Sequence, residues 1–328
     1  MSSGFTQTEG EPSRSRLRGR RGLVLALQIL FVLALIGFLA YAVRGTWDEA
    51  LPRLRDARPL ELGLACLILA AYYLLFVVGW VWILAALEIR TSYRVALQAE
   101  MVSMLAKYIP GGVWTPAARV VAMRRAGITN TPVVLVSILI EAALSAVAGI
   151  FVFVVGLLWV SDVDAPLLPL AALAAVCLIP LHPRIFRPLA GRVLRRFGTV
   201  EIPTLPLRTS LRLVVFYSFT WLVGGAALFF LLRSVGGKPD VLAIAFLGGT
   251  SAVGAIVAVL VIFAPSGLGV REASMYGLLL AVVSEGVALG ATVLNRLTIT
   301  AVEAALLLIP AASAWRLRGR KQAGADGR

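Results

Sequence analysis

Charged side chains are scarce in this chain of 328 residues. Asp, Glu, Lys and Arg make up 15% of it, whereas about a quarter of a typical soluble domain is charged. Hydrophobic residues make up 59%, and the mean hydropathy is +0.90. A soluble fold could not hide so much apolar surface from water, which indicates that lipid is the solvent. The composition therefore predicts an all-α, polytopic membrane protein.

Histidine and cysteine are almost absent, which argues against metal and His-dependent chemistry. The one histidine, His182, lies beside a basic loop, and the two cysteines, Cys66 and Cys177, lie in apolar runs. A zinc site needs clustered His, Cys or carboxylate ligands. Motifs for nucleotide binding, for serine hydrolases and for metalloproteases are missing as well. We therefore expect no catalytic residue, no metal and no cofactor, and we predict that the chain is not an enzyme.

Positive charge is in excess, with a formal net charge of +14. It is concentrated at 1–22, at 182–210 and at 316–328. These clusters flank apolar runs and do not form one basic module, so no nucleic-acid partner is expected. By the positive-inside rule they are cytoplasmic. We predict a multi-pass protein of a bacterial or archaeal inner membrane with both termini in the cytoplasm, carrying basic tails at 1–22 (disordered) and 316–328.

Apolar runs of about the 20 residues needed for a crossing divide the predicted transmembrane domain, 23–315. The runs interpreted as full crossings are 23–43, 62–87, 132–160, 165–181, 211–234 and 287–313. Shorter runs at 95–108, 113–125 and 270–283, and a marginal one at 241–263, flank two breaks. The chain crosses six times if these are re-entrant pairs and eight times if they span fully. Both counts return the C-terminus to the cytoplasm.

The two breaks are rich in proline and glycine, and their prolines are 155 residues apart. They contain Pro110, Gly111 and Gly112 in the first case and Pro265, Gly267 and Gly269 in the second. The same offset carries 132–160 onto 287–315, which matches the run at 287–313. This correspondence indicates two repeats, about 62–160 and about 211–313. The extra crossing between them makes the repeats inverted. Inverted repeats with broken helices are typical of transporters, although each break alone is also compatible with a loop at the membrane surface.

Two opposite charges lie deep in corresponding spans. Glu141 is nine residues into its run, and the 155-residue offset carries it onto Arg296. A lone charge at that depth is costly and usually pairs or lines a polar path. We therefore predict a mid-membrane pair between Glu141 and Arg296, acting as a substrate site, as a structural pin or as both.

Other polar residues near the breaks complete the predicted site. Glu272 follows the second break and has capping of the next helix as an alternative role. Arg119 and Lys107 flank the first break, where either side chain could snorkel to the membrane surface. Glu100 and Glu303 remain unassigned. The predicted substrate-binding residues are Arg119, Glu141, Arg271, Glu272, Asn295 and Arg296.

The break motifs resemble those of the lysylphosphatidylglycerol synthase transmembrane-region family, also called the flippase-like domain family. The first motif is Tyr-Ile-Pro-Gly-Gly-Val-Trp-Thr-Pro at 108–116, followed by Arg119 and Glu141; the second is Pro-Ser-Gly-Leu-Gly-Val-Arg-Glu-Ala at 265–273, followed by Arg296. The resemblance covers roughly 20–315 and implies a lipid-translocating membrane fold. In two-domain members this region is thought to flip the aminoacylated lipid made by a transferase domain. No such domain precedes Arg328, so we expect no synthesis of lysylphosphatidylglycerol.

One departure from the family pattern concerns Glu141. The family often has arginine after the membrane glutamate, whereas Ala142 follows it here. Because of this difference, the family pattern does not identify the partner of Glu141.

The leading functional hypothesis is a flippase for an anionic lipid or a lipid-linked sugar. Arg119, Arg271 and Arg296 would hold the head group by charge-assisted hydrogen bonds. The alternative is a non-transporting membrane partner or scaffold for a lipid- or glycan-modifying enzyme. The expected partners are anionic phospholipids or polyprenyl-linked substrates, together with such an enzyme. A membrane-embedded transferase is disfavoured because no catalytic constellation is visible.

Overall fold

A computed structural model of the chain describes residues 47–107, 113–160, 205–261 and 267–325, together with the single positions 109 and 188. All regular structure in these ranges is helical, which confirms the predicted all-α class. The nine α-helices are α1 (Trp47–Arg55), α2 (Pro59–Ala86), α3 (Tyr93–Ala106), α4 (Trp114–Arg125), α5 (Thr131–Gly156), α6 (Leu207–Ser234), α7 (Ile244–Leu260), α8 (Val270–Leu279) and α9 (Glu285–Ala325).

Five segments among the described residues are long and apolar enough to cross a membrane. They are Pro59–Ala86, Thr131–Trp159, Leu207–Ser234, Val241–Leu260 and Glu285–Leu308. They include the four predicted crossings that fall in these ranges and also the run at 241–263, which the sequence left marginal. The predicted crossings at 23–43 and 165–181 lie outside the described residues. The chain is therefore a polytopic helical membrane protein.

The helices form two series of the same order, α2 to α5 and α6 to α9. Each series begins with a helix of 28 residues, continues with two shorter helices and ends with a long one. Within the first series α2 packs on α3, α3 on α4 and α4 on α5. Within the second, α6 packs on α7, α7 on α8 and α8 on α9. The order of elements thus follows the two predicted units.

Packing between the series follows the same correspondence. Helix α5 packs on α6 and α7, and its counterpart α9 packs on α2 and α3, while α2 and α6 pack on each other. Exchanging the two series leaves this set of contacts unchanged, as a two-fold relation would require. The inverted orientation of the units in the membrane stays a prediction. Helix α1 precedes both series and packs on α9.

The second break separates α7 from α8. Helix α7 ends at Leu260 and α8 begins at Val270. Gly267 and Gly269 lie between them with φ of 64° and 83°, a backbone conformation that glycine adopts without the steric cost other residues incur. The remaining predicted break residues, Pro110, Gly111, Gly112 and Pro265, lie outside the described residues.

Glycines let α7 approach its neighbours closely. A Cβ atom at Gly248 would lie 2.4 Å from the carbonyl oxygen of Trp221 on α6, and one at Gly249 would lie 2.3 Å from the Cα atom of Phe153 on α5. Small residues at helix interfaces allow such backbone contact in membrane proteins. Helix α7, which contains no ionisable residue, is therefore fixed between α5 and α6 by shape.

Gly248→Ala should destabilise the protein by about 1–3 kcal/mol, the usual cost of overpacking a tight interface. The added methyl group would meet backbone atoms of α6, which cannot rotate away. The matched control is Gly277→Ala on α8, where nothing lies within 4 Å of the added atom. The measurement is the thermal unfolding midpoint in detergent. Equal midpoints for the two variants would contradict the close approach of α6 and α7.

Candidate functional site

Arg119 lies between two carboxylates in the first series. Its guanidinium forms ion pairs with Glu100 on α3 and with Glu141 on α5. The exposed fractions of the three residues are 2% for Glu100, 5% for Arg119 and 3% for Glu141. One cation thus joins three helices in a cluster that water barely reaches. We call Glu100, Arg119 and Glu141 the sealed cluster.

Aromatic residues close the sealed cluster on two sides. The Arg119 guanidinium lies 4.4 Å from the ring centroid of Trp80, at a distance where the cation is attracted to the ring face. Trp80 is held in place because its Nε1 donates to Ser137 Oγ at 3.0 Å. From α6, Tyr217 Oη donates to Glu141 Oε1 at 3.5 Å. Gly79 leaves room for that phenol, since a Cβ there would lie 2.6 Å from Tyr217 Oη.

A third buried carboxylate, Glu303 on α9, also has a tyrosine and a cation as partners. Tyr73 Oη donates to Glu303 Oε1 at 2.7 Å, and Lys107, just past the end of α3, forms an ion pair with the same oxygen. In both cases a tyrosine from the first helix of one series contacts a glutamate on the last helix of the other. The two tyrosine–glutamate contacts therefore link the two series at corresponding places.

Glu272 and Arg296 form the ion pair of the second series, with Arg296 Nη1 3.3 Å from Glu272 Oε1. The other carboxylate oxygen of Glu272 accepts a hydrogen bond from the backbone N–H of Gly269 at 2.6 Å. Glu272 therefore caps α8, the alternative role predicted for it, and also orients Arg296. Asn295, a predicted substrate-binding residue, donates a hydrogen bond to Met275 Sδ at 3.4 Å, and its contact with a substrate stays a prediction.

The predicted pair between Glu141 and Arg296 is wrong. Glu141 pairs with Arg119, and Arg296 pairs with Glu272. The physical reason is proximity within each series, because α4 packs directly on α5 and α8 packs directly on α9. The sequence indicated that both positions carry unusual charges, but each charge pairs with a residue of the short helix that precedes its own helix.

Three cations converge near the two helix breaks. Arg271 and Arg296 both lie within electrostatic reach of Lys107, and Arg271 also lies within reach of Tyr72 and Tyr73 on α2. The side chains of Lys107 and Arg296 are 17% and 18% exposed, against 6% for Arg119. We call Lys107, Arg271 and Arg296 the open cation group, because solvent still reaches it.

Arg271 differs from the other arginines of the interior. Among the described residues its guanidinium has no ion-pair or hydrogen-bond partner, although the side chain is half-buried. Its aliphatic part lies against α7, since a Cβ at Gly254 would be 3.3 Å from Arg271 Cγ. The aliphatic part of Arg271 is therefore packed against the protein, while no described residue pairs with its guanidinium.

Several residues of these clusters were not predicted. Trp80, Tyr73 and Tyr217 gave no sequence signal beyond their place in apolar runs. Glu100 and Glu303 were recognised as unusual charges, and Lys107 was interpreted as a snorkelling residue. The partners of Glu303 lie 196 and 230 residues away, so no local spacing could have revealed them. Among the described residues no group of three His, Cys, Asp or Glu side chains could hold a metal.

The helices and their buried charges define a multi-pass membrane protein with a polar interior. A family model, the lysylphosphatidylglycerol synthase TM region, matches residues 24–306. The chain therefore belongs to this family, whose members are lipid-related membrane proteins. A search of curated proteins gave no match to the chain.

The corrected pairing predicts for which double variant the changes in unfolding free energy are non-additive. Arg119→Gln should cost about 3–5 kcal/mol because two buried carboxylates lose their cation, and adding Glu141→Gln should recover part of that loss. Glu141→Gln combined with Arg296→Gln should instead be additive within about 0.5 kcal/mol. Unfolding midpoints of purified variants in detergent measure both couplings. Strong coupling of Glu141 to Arg296, with none to Arg119, would refute the described pairing.

Proposed function

We propose that the chain translocates an anionic lipid or a lipid-linked sugar across the inner membrane, with both termini in the cytoplasm. The observation that carries the proposal is the convergence of Lys107, Arg271 and Arg296 beside the two helix breaks. These cations come from both series of helices. A phosphate at that place would touch both halves of the protein, as alternating access between two halves requires.

Arg271 supplies the clearest contact for a head group. A guanidinium presents its N–H donors in a planar fork that matches two phosphate oxygens. Keeping such a charge half-buried without a partner is costly, and a bound phosphate would remove that cost. The phenol of Tyr72, within electrostatic reach of Arg271, is a further donor on the same side.

The neighbouring carboxylates fit the same role. Glu303 pairs with Lys107 and Glu272 pairs with Arg296, so these two cations are neutralised when no head group is bound. Counting the three cations and the two carboxylates leaves one positive charge, which favours an anion over a zwitterion. A bound phosphate would replace one of these internal ion pairs with an ion pair to the substrate. This exchange costs less free energy than burying a cation that has no partner.

Arg119 is not part of the proposed head-group site. It already contacts two carboxylates and the face of Trp80. Releasing it would leave a buried negative charge uncompensated. We assign Arg119 a structural role and keep Arg271 and Arg296 as substrate contacts, with Lys107 added to them. Membrane lipids are the partners, and an enzyme that modifies lipids or glycans is the expected source of the substrate.

Arg271→Gln should slow lipid exchange between leaflets by about tenfold to a hundredfold. That range corresponds to losing one hydrogen-bonded charge contact of about 1.5–3 kcal/mol. The assay uses protein in liposomes with fluorescent phosphatidylglycerol, fluorescent phosphatidylcholine and a polyprenyl-phosphate sugar as separate probes. Folded yield should be unchanged, because Arg271 has no described partner to lose.

The matched control is Arg124→Gln, which removes an exposed arginine from α4 and should leave exchange at the wild-type rate. Equal rates for wild type and Arg271→Gln would refute the head-group role of Arg271. Failure of the wild type to move any of the three probes would contradict translocation and favour the scaffold role.

A further inference from the structure

The sealed cluster has an unbalanced charge if all its groups are ionised. Two carboxylates, Glu100 and Glu141, share one cation, Arg119, which leaves one net negative charge. Each residue is at most 5% exposed, so water cannot stabilise this negative charge by solvation. An ionised carboxylate without a compensating charge is among the most expensive groups to bury.

The helices around the cluster bring no second cation into contact with it, as far as the described residues go. Helix α2 contributes Trp80 and Tyr72, and α6 contributes Tyr217, all of which are uncharged at neutral pH. Helix α7 has no ionisable residue. On α9, Glu303 is paired with Lys107 and Arg296 with Glu272. Within the described residues, Arg119 is therefore the only cation that contacts either carboxylate.

Hydrogen bonding inside the cluster is incomplete. Arg119 Nε is buried and has no hydrogen-bond partner among the described residues, whereas Glu100 Oε2 is engaged in the ion pair with the Arg119 guanidinium. Buried polar atoms of this kind are rare in native proteins and call for an explanation such as a ligand. A carboxylate oxygen that carries a proton becomes a donor, so one proton would correct the charge and add a hydrogen-bonding group.

We propose that the sealed cluster is a proton-binding site in which Glu100 and Glu141 together hold one proton beside Arg119. The proton is taken from water onto a carboxylate oxygen and returns to water when the pair is deprotonated. Two carboxylates that share a cation and exclude water behave as a coupled pair, in which one stays protonated while the other is ionised. The site is distinct from the open cation group and is present whether or not the protein moves a lipid.

Infrared spectroscopy of the whole protein in detergent at neutral pH tests the site. A protonated carboxyl group and an ionised carboxylate absorb in separate regions. Glu100→Gln and Glu141→Gln should each remove the protonated band and leave the ionised carboxylate absorption unchanged. The reason is that either variant leaves one carboxylate, which pairs with Arg119 and needs no proton. Because glutamine mimics the protonated acid in shape, both variants should fold.

The matched control is Glu285→Gln, which removes an exposed carboxylate and should reduce the ionised absorption while keeping the protonated band. The proposal is overturned if the wild type shows no protonated band. It is equally overturned if either cluster variant loses ionised absorption, as Glu285→Gln does, or keeps the protonated band. Loss of the protonated band in both cluster variants, with the control behaving as expected, establishes the site.

Discussion

The placement of Arg119 between two buried carboxylates is the constraint on which the first half of the protein depends. Helices α3 and α4 have 14 and 12 residues, too few to cross a bilayer, so tertiary contacts must hold them. The sealed cluster binds both to α5, and Trp80 joins α2 to the same point. Because breaking such a buried group costs several kcal/mol, the cluster holds these four helices together.

The second half repeats this arrangement with opposite sign and greater exposure. Glu272 on the short helix pairs with Arg296 on the long one, where the first half pairs Arg119 with Glu141. The second pair is solvent-accessible and lies near Lys107 and Arg271, whereas the first is closed. The sealed cluster keeps its charges away from water, whereas solvent reaches Lys107 and Arg296. The tyrosine–glutamate contacts at Tyr73 and Tyr217 link the two halves.

The class of the protein and most helix limits could be predicted because they depend on local composition. The predicted span at 211–234 ends where α6 ends, and the one at 132–160 matches α5 with its final turn. The pairing of charges could not be predicted because it depends on how short helices dock. The 155-residue offset related Glu141 to Arg296 as counterparts, and the error was to treat counterparts as contacts. The contact of Tyr73 with Glu303 joins residues 230 apart, for which one sequence offers no spacing signal.

The division between a sealed arginine and an open one is the central claim, and it is tested by modifying arginines of the protein in liposomes with a dicarbonyl reagent. Mass spectrometry then reports the extent of reaction at each site. The account predicts that Arg271 reacts, that phosphatidylglycerol protects it more than phosphatidylcholine does, and that Arg119 stays unmodified in both lipids. Reaction of Arg119 at the rate of Arg271, or no protection of Arg271 by the anionic lipid, would contradict it.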